Sequence, residues 1–491
     1  MPAHGSRERR WRVAALAVLV VGGVGIAVGV RGEPAPVAAA PTPSALVGAP
    51  DAESSAWYCT GQSTAGGVAP GSLVLTNTSA RPVTATVTAV TDTGATGHTE
   101  VAVPAQGVVA PSIPPLSSGS WQSESVVTSG GGVAVTQAVS NSLGWSQAPC
   151  QSTTSANWYF ASGSTAAAND LYVALLNPTS TPVVVDLSFA TPGGMVHPIN
   201  YQGIVLAPGQ VAVEDVATEV QQISNFSTIV TARTGRVVAS EVQEIVGPGG
   251  ASGGLSLVPG VATPQSHWAI PQAQEVPGGS SQIDVFNPGS ATETVTVRVR
   301  LPSGPLSPFT DKILPGTTWI LATSAQTRIP DNQTYATAID ATGGSGVVVA
   351  RSIALPDSAT PPPQAGVVVA VDGLSAVSPT GQWVVPPPGT SDDPVVGGAA
   401  PAYLALLNTS TGGETYQAMA TTAAGNHVVA TGTLAAGASV VVFGSPLSAA
   451  GLDPIVVRAS GPLAVSEEAS PSAGFGVVSM PGIPLAASIG A

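Results

Sequence analysis

The sequence predicts an all-β protein: an N-terminal transmembrane helix followed by four tandem immunoglobulin-like β-sandwich modules. Three observations carry this expectation. A set of landmark residues recurs four times in one order, as tandem copies of one supersecondary unit require. Apolar residues alternate with polar ones at a period of two, the signature of a half-buried strand. Gly, Pro, Thr, Ser and Val outweigh the strong helix formers.

The chain has 491 residues, of which 44% are hydrophobic but only 9% charged and 4% aromatic. Enough apolar material is present to build a core, so the low charge does not signal disorder. The net charge of −14 and a single lysine, Lys312, argue against a nucleic-acid partner, which needs clustered cations.

Residues 1–12 form a basic segment with Arg7, Arg9, Arg10 and Arg12. Residues 13–30 follow as an uncharged apolar run, Val13 to Val30, whose eighteen residues span about 27 Å as a helix, enough to cross a bilayer. The expected partner here is therefore the membrane, with the run as an uncleaved signal anchor. The arginines hold the N-terminus in the cytoplasm and the rest is exported. Secretion after cleavage near Ala27-Val28-Gly29 is the alternative. Residues 31–55 are Pro/Ala-rich and read as a stalk.

The modules are placed at 56–150, 151–262, 263–379 and 380–491. Trp57, Trp158, Trp268 and Trp383 open them, each followed 19 to 25 residues later by a strand ending in Asn77, Asn177, Asn287 or Asn408. A glycine turn comes 29 to 32 residues further on, at Gly107, Gly209, Gly316 and Gly437. A hairpin marker follows after another 30 to 35 residues: Gln137, Glu241, Arg351 and Glu467. Within modules, Val83, Ala85, Val87 and Ala89 alternate with threonines, and Val295, Val297, Val299 and Leu301 with Thr296, Arg298 and Arg300. Seven or eight such runs per module match a sandwich. The alternative is a β-propeller with two blades per repeat, because these repeats are about twice the ~40–50 residues of one blade. No half-repeat stands out to support it.

Little in the chain suggests chemistry. Cys59 and Cys150 bracket the first module and outside the cytoplasm are most simply a disulfide, worth roughly 4–5 kcal/mol by loop entropy; two buried thiols are the alternative. His98, His197 and His427 recur 19 to 21 residues after their asparagines, one per module, which suits inherited surface turns rather than a metal site. His267 has no visible partner. The recurrent asparagines are read as Asx turns, with Pro178 and Pro288 at the next position. Gly250-Ala251-Ser252-Gly253-Gly254 matches a nucleophile elbow only formally, with no helix after it. The neighbours Glu214-Asp215, Asp392-Asp393 and Glu467-Glu468 point to opposite faces of a strand, unlike an acid/base pair. No catalytic residue, metal or cofactor is expected.

The anchor, the Pro/Ala stalk and the repeated W…LxLxN…PG modules resemble an uncharacterised family of exported, membrane-anchored actinobacterial proteins, a domain of unknown function. That resemblance implies an envelope location and no reaction. The expected role is a non-enzymatic envelope protein acting as scaffold, spacer or partner-binding array. A glycan-binding accessory of cell-wall assembly is the alternative, with Trp121, Trp145 and Trp319 as the candidate surface recognition residues. A hydrolase would need distant acids and histidines brought into one cleft between modules.

Overall fold

The computed structural model describes residues 43–113, 116–246, 253–355, 366–370, 381–390, 400–470 and 478–488. The expected membrane segment Val13 to Val30 lies outside them, and among the described residues no helix is long and apolar enough to cross a membrane. Asp392-Asp393 and most of the Gly250–Gly254 run also lie outside.

The first repeat contains eight strands: β1 Ser55–Ser63, β2 Gly71–Asn77, β3 Val83–Thr91, β4 Thr96–Val103, β5 Gly107–Val109, β6 Trp121–Thr128, β7 Val133–Asn141 and β8 Gly144–Pro149. They form two antiparallel sheets ordered β1-β6-β3-β4 and β5-β2-β7-β8. Strand β3 alternates as its sequence requires, with Val83, Ala85, Val87 and Ala89 buried and Thr84 and Thr88 exposed. Strands β7 and β8 do not alternate, because nearly every residue in them is buried. Both faces of their sheet are covered, so small and polar residues fill positions that would otherwise meet water.

The other repeats build the same pair of sheets, for eight sheets among the described residues. Inside each repeat the two sheets face one another across a core of large side chains. Trp57, Leu73 and Val126 fill the first, Trp158, Phe160 and Phe189 the second, Trp268, Ile283 and Ile339 the third, and Trp383, Leu406 and Val457 the fourth. Between repeats the contacts continue. Val139 and Ala148 meet Val242 and Leu257, Ala161 and Ala190 meet Phe286 and Val348, and Ala269 and Ala336 meet Leu407 and Ala464. The last junction returns to the start, where Ala469, Val478 and Met480 pack on Ala138 and Trp145.

The sheets therefore close into an eight-bladed β-propeller with two blades per repeat. This corrects the expectation of four immunoglobulin-like sandwiches in tandem: sheets of successive repeats pack on one another around the ring, and no repeat stands alone. The missing half-repeat has a physical cause. Strands 1, 3, 4 and 6 of the first repeat make one blade, and strands 2, 5, 7 and 8 the other, so neither blade is a contiguous stretch of sequence.

Residues 43–55, expected to end a stalk, take part in closing the ring. Val47 is fully buried and its N–H donates to the Pro484 carbonyl at 2.9 Å, while its carbonyl accepts the Ala486 N–H at 2.9 Å. Ile483 and Leu485 thereby join the core of the first repeat. The expected disulfide is present: Cys59 in β1 is joined to Cys150 just after β8, with Cα atoms 4.7 Å apart.

Candidate functional site

The recurrent residues serve the fold. The four entrance tryptophans are buried in their cores, and the indole N–H of Trp158 and of Trp268 donates to the Val237 and Val347 carbonyls, each at 2.9 Å. The four asparagines are fully buried. Each Oδ1 accepts the N–H two residues on, from Ser79, Thr179, Gly289 or Ser410, at 2.8–3.0 Å. Each Nδ2 donates to the carbonyl four residues on at 2.7–2.8 Å. It donates again to a carbonyl of a later hairpin, from Pro104, Ala207, Ile313 or Ala435, at 2.9–3.1 Å. The amide thus closes an Asx turn and clamps a distant hairpin to it. In the glycine turns, Gly209, Gly316 and Gly437 take positive φ of 65° to 72°, whereas in the first repeat the left-handed residue is Gln106, one place before Gly107.

The hairpin markers are buried polar groups inside the repeats. Gln137 donates to the Thr60 carbonyl at 3.0 Å and Arg351 to the Gln272 carbonyl at 2.8 Å. Burial pushes the carboxyls of Glu241 and Glu467, and of Glu124 on β6, up to about 8, so they stay protonated near neutral pH. His98 and His197 are exposed and His427 is half-buried, all beside outer turns. Glu467 is buried, whereas its neighbour Glu468 is half-buried and bonded by the Tyr403 hydroxyl.

The three unrepeated tryptophans do not share a face. Trp121 is buried against Tyr172 of the second repeat, ring centroids 5.0 Å apart. Trp145 is buried at the junction of the fourth and first repeats. Trp319 is half-buried against the third core.

What the fold does assemble is a cleft of about 530 Å³ between the third and fourth repeats. One wall comes from the strands His267–Gln274, Glu293–Leu301 and Thr334–Thr342, the other from Leu407 and the turn Thr409–Thr411. The spacing of two along a strand puts Arg298 and Arg300 on one face. Asp340 lies directly opposite His267 in the neighbouring strand. Its Oδ1 meets His267 Nδ1 at 2.7 Å, and its Oδ2 forms an ion pair with Arg298. Arg300 has no hydrogen-bond or ion-pair partner among the described residues. It lines both this cleft and a second cavity of about 300 Å³ bordered by Gln272, Tyr335 and Ser439. Its Nη1 lies 4.0 Å from where a side chain on Gly437 would begin. Pro305, Ala336, Ala338, Leu407 and Pro462 supply apolar wall, and Thr337 and the turn Thr409–Thr411 supply hydroxyls.

Sequence reasoning missed this site. Arg298 and Arg300 read as the solvent face of an alternating strand, and His267 is separated by 73 residues from its partner Asp340. The available signal was compositional: of the nine basic residues beyond Arg31, five fall in the third repeat.

Residues 112–319 match the model of a family of unknown function (DUF5719). This agrees with the resemblance to a domain of unknown function and spans parts of three repeats. No curated protein matches the chain in sequence. A crystal structure of a tetra-tandem repeat in the extending region of a large adhesion protein aligns with 90% of this chain and 99% of that one, at 11% identity and a TM-score of 0.10. So poor a superposition carries no argument.

Proposed function

We propose that the chain is a non-enzymatic scaffold of the cell envelope, held to the membrane through Val13 to Val30, that binds a partner in the cleft between the third and fourth repeats. The observation behind this reading is Arg300, a cation without a partner among the described residues, set beside apolar walls on a blade that is braced on both sides. Clefts of this kind, mostly apolar with a few convergent polar groups, are where ligands sit. The nearby acid and base do not lead to a nucleophile. Asp340 is occupied by His267 and Arg298, and the Ser410 hydroxyl bonds Gly412 at 3.1 Å and Glu414 at 2.9 Å.

A photo-crosslinking residue at exposed Thr411, on the lip of the cleft, tests the reading in the native envelope. It is expected to trap a defined partner, whereas the same residue at exposed Val428 on an outer strand does not. Absence of any adduct at Thr411, or equal trapping at both sites, contradicts the proposal.

The glycan-binding alternative draws on a different feature, a cavity of about 260 Å³ between the second and third repeats. Ser162, Asn225, Ser281, Gln282 and Ser352 line it with hydroxyls and amides. Buried Asp284 beneath accepts bonds from Asn225 at 3.2 Å, Gln282 at 2.8 Å and Ser352 at 3.2 Å. Such a wall of hydroxyls and amides suits a polyhydroxylated ligand.

A further inference from the structure

We infer that the cleft between the third and fourth repeats reads an acidic peptide segment of the partner, a carboxylate set on Arg300 with an adjacent apolar side chain against Ala336, Ala338 and Leu407. This deepens the reading of the cleft as a partner site and rests on it.

The two arginines of the cleft differ in what they can offer a ligand. Arg298 and His267 both engage Asp340, so one positive charge is already neutralised. Arg300, two residues on and half-buried, keeps its charge and its planar donors, which match a carboxylate. A cation partly removed from water beside apolar walls favours an anion more than one in bulk solvent does.

A second observation points to an extended segment. Arg300 lines both the cleft and the adjoining cavity bordered by Pro302, Tyr335 and Ser439, so the two spaces meet at its side chain and one segment can run from one into the other.

The walls argue against an acidic glycan as occupant. Most of their exposed surface is apolar, and Trp268 is only 3% exposed, leaving no open ring for a sugar to stack upon. An acidic side chain next to an apolar one complements them.

The test uses the full chain and fluorescein-labelled dodecapeptides carrying a central Leu-Glu, Leu-Gln or Leu-Lys pair, with oligogalacturonate as the competing anion. The Leu-Glu peptide is expected to bind about tenfold more tightly than the Leu-Gln peptide, as loss of a close charge pair implies, and to weaken as salt rises. Arg300→Gln should remove that preference, and Arg300→Lys should keep part of it. Unchanged melting temperatures show that the variants fold. Equal binding of Leu-Glu and Leu-Gln, indifference to Arg300→Gln, retention of oligogalacturonate alone, or no peptide binding overturns the inference. If peptides fail while Thr411 still traps a partner, the ligand class is wrong and the partner site stands; if both fail, both fall.

Discussion

The propeller has two kinds of blade junction. Within a repeat, sheets meet through indoles, phenyl rings and leucines, as Trp158, Phe160 and Leu171 do in the second repeat. Between the third and fourth repeats the contact is made by Ala269, Ala336, Leu407 and Ala464. Small side chains let backbones approach but bury little area, and apolar area sets the stabilisation. The first–second and fourth–first junctions carry larger groups, Trp121 with Leu257 and Trp145 with Met480, so the weak packing belongs to the third–fourth junction. The charged cleft opens there.

The largest expected effect tests the within-repeat side of this contrast. Replacing both Cys59 and Cys150 by alanine should cost roughly 4–5 kcal/mol by loop entropy, read as a lowered denaturant midpoint; an unchanged midpoint would show that the first core holds without its crosslink. Next comes the clamp. Asn177→Ala strands the carbonyls of Thr181, Leu206 and Ala207 and should cost about 3 kcal/mol, since each unmade buried bond costs about 1–3 kcal/mol. The third–fourth junction should be more tolerant: Leu407→Ala is expected to cost roughly 2 kcal/mol, the low end for such a truncation, because it borders the cleft and its neighbours are small. A loss as large as that of Trp158→Ala would erase the distinction between the junctions.

The buried acids sharpen the comparison through pH. Glu124, Glu241 and Glu467 remain protonated in the folded chain up to about pH 8, while in the unfolded chain they ionise in the ordinary carboxylate range. The folded state then holds more protons between those limits. The stabilisation is full below the ordinary carboxylate range and is lost as pH rises towards about 8. Thermal melts should show this decline, and Glu241→Gln should flatten it. Stability that climbs over the same range would contradict the burial. The smallest effect belongs to the cleft itself, where Arg298→Ala removes an exposed ion pair and should change stability by less than about 1 kcal/mol.

Much of this was legible in the sequence, and the residues show why. Tryptophan, asparagine and glycine recur because each suits a recurrent place: a large core, a buried amide with several bonds and, in three of the four repeats, a left-handed turn. Alternation in Val83–Ala89 exposed the strand period. The ring itself was hidden. Its blades interleave in sequence, and the faces that join repeats include alanines such as Ala161, Ala190 and Ala464, which carry little hydropathic signal. The cleft was hidden for a related reason, since Asp340 meets His267 and Arg298 only after distant strands pair. Residues 43–49 looked like linker because Pro, Ala and Gly outnumber apolar anchors there, although Val47 pairs with Leu485 and the Leu46 N–H donates to Ser152 Oγ at 2.9 Å.

Closure of the ring is the central claim, and small-angle X-ray scattering of residues 43–491, which form one compact unit, tests it most directly. A closed propeller of this length should give a radius of gyration of about 22 Å, as expected for a compact globule. A value near twice that, from four modules strung in a line, would contradict it.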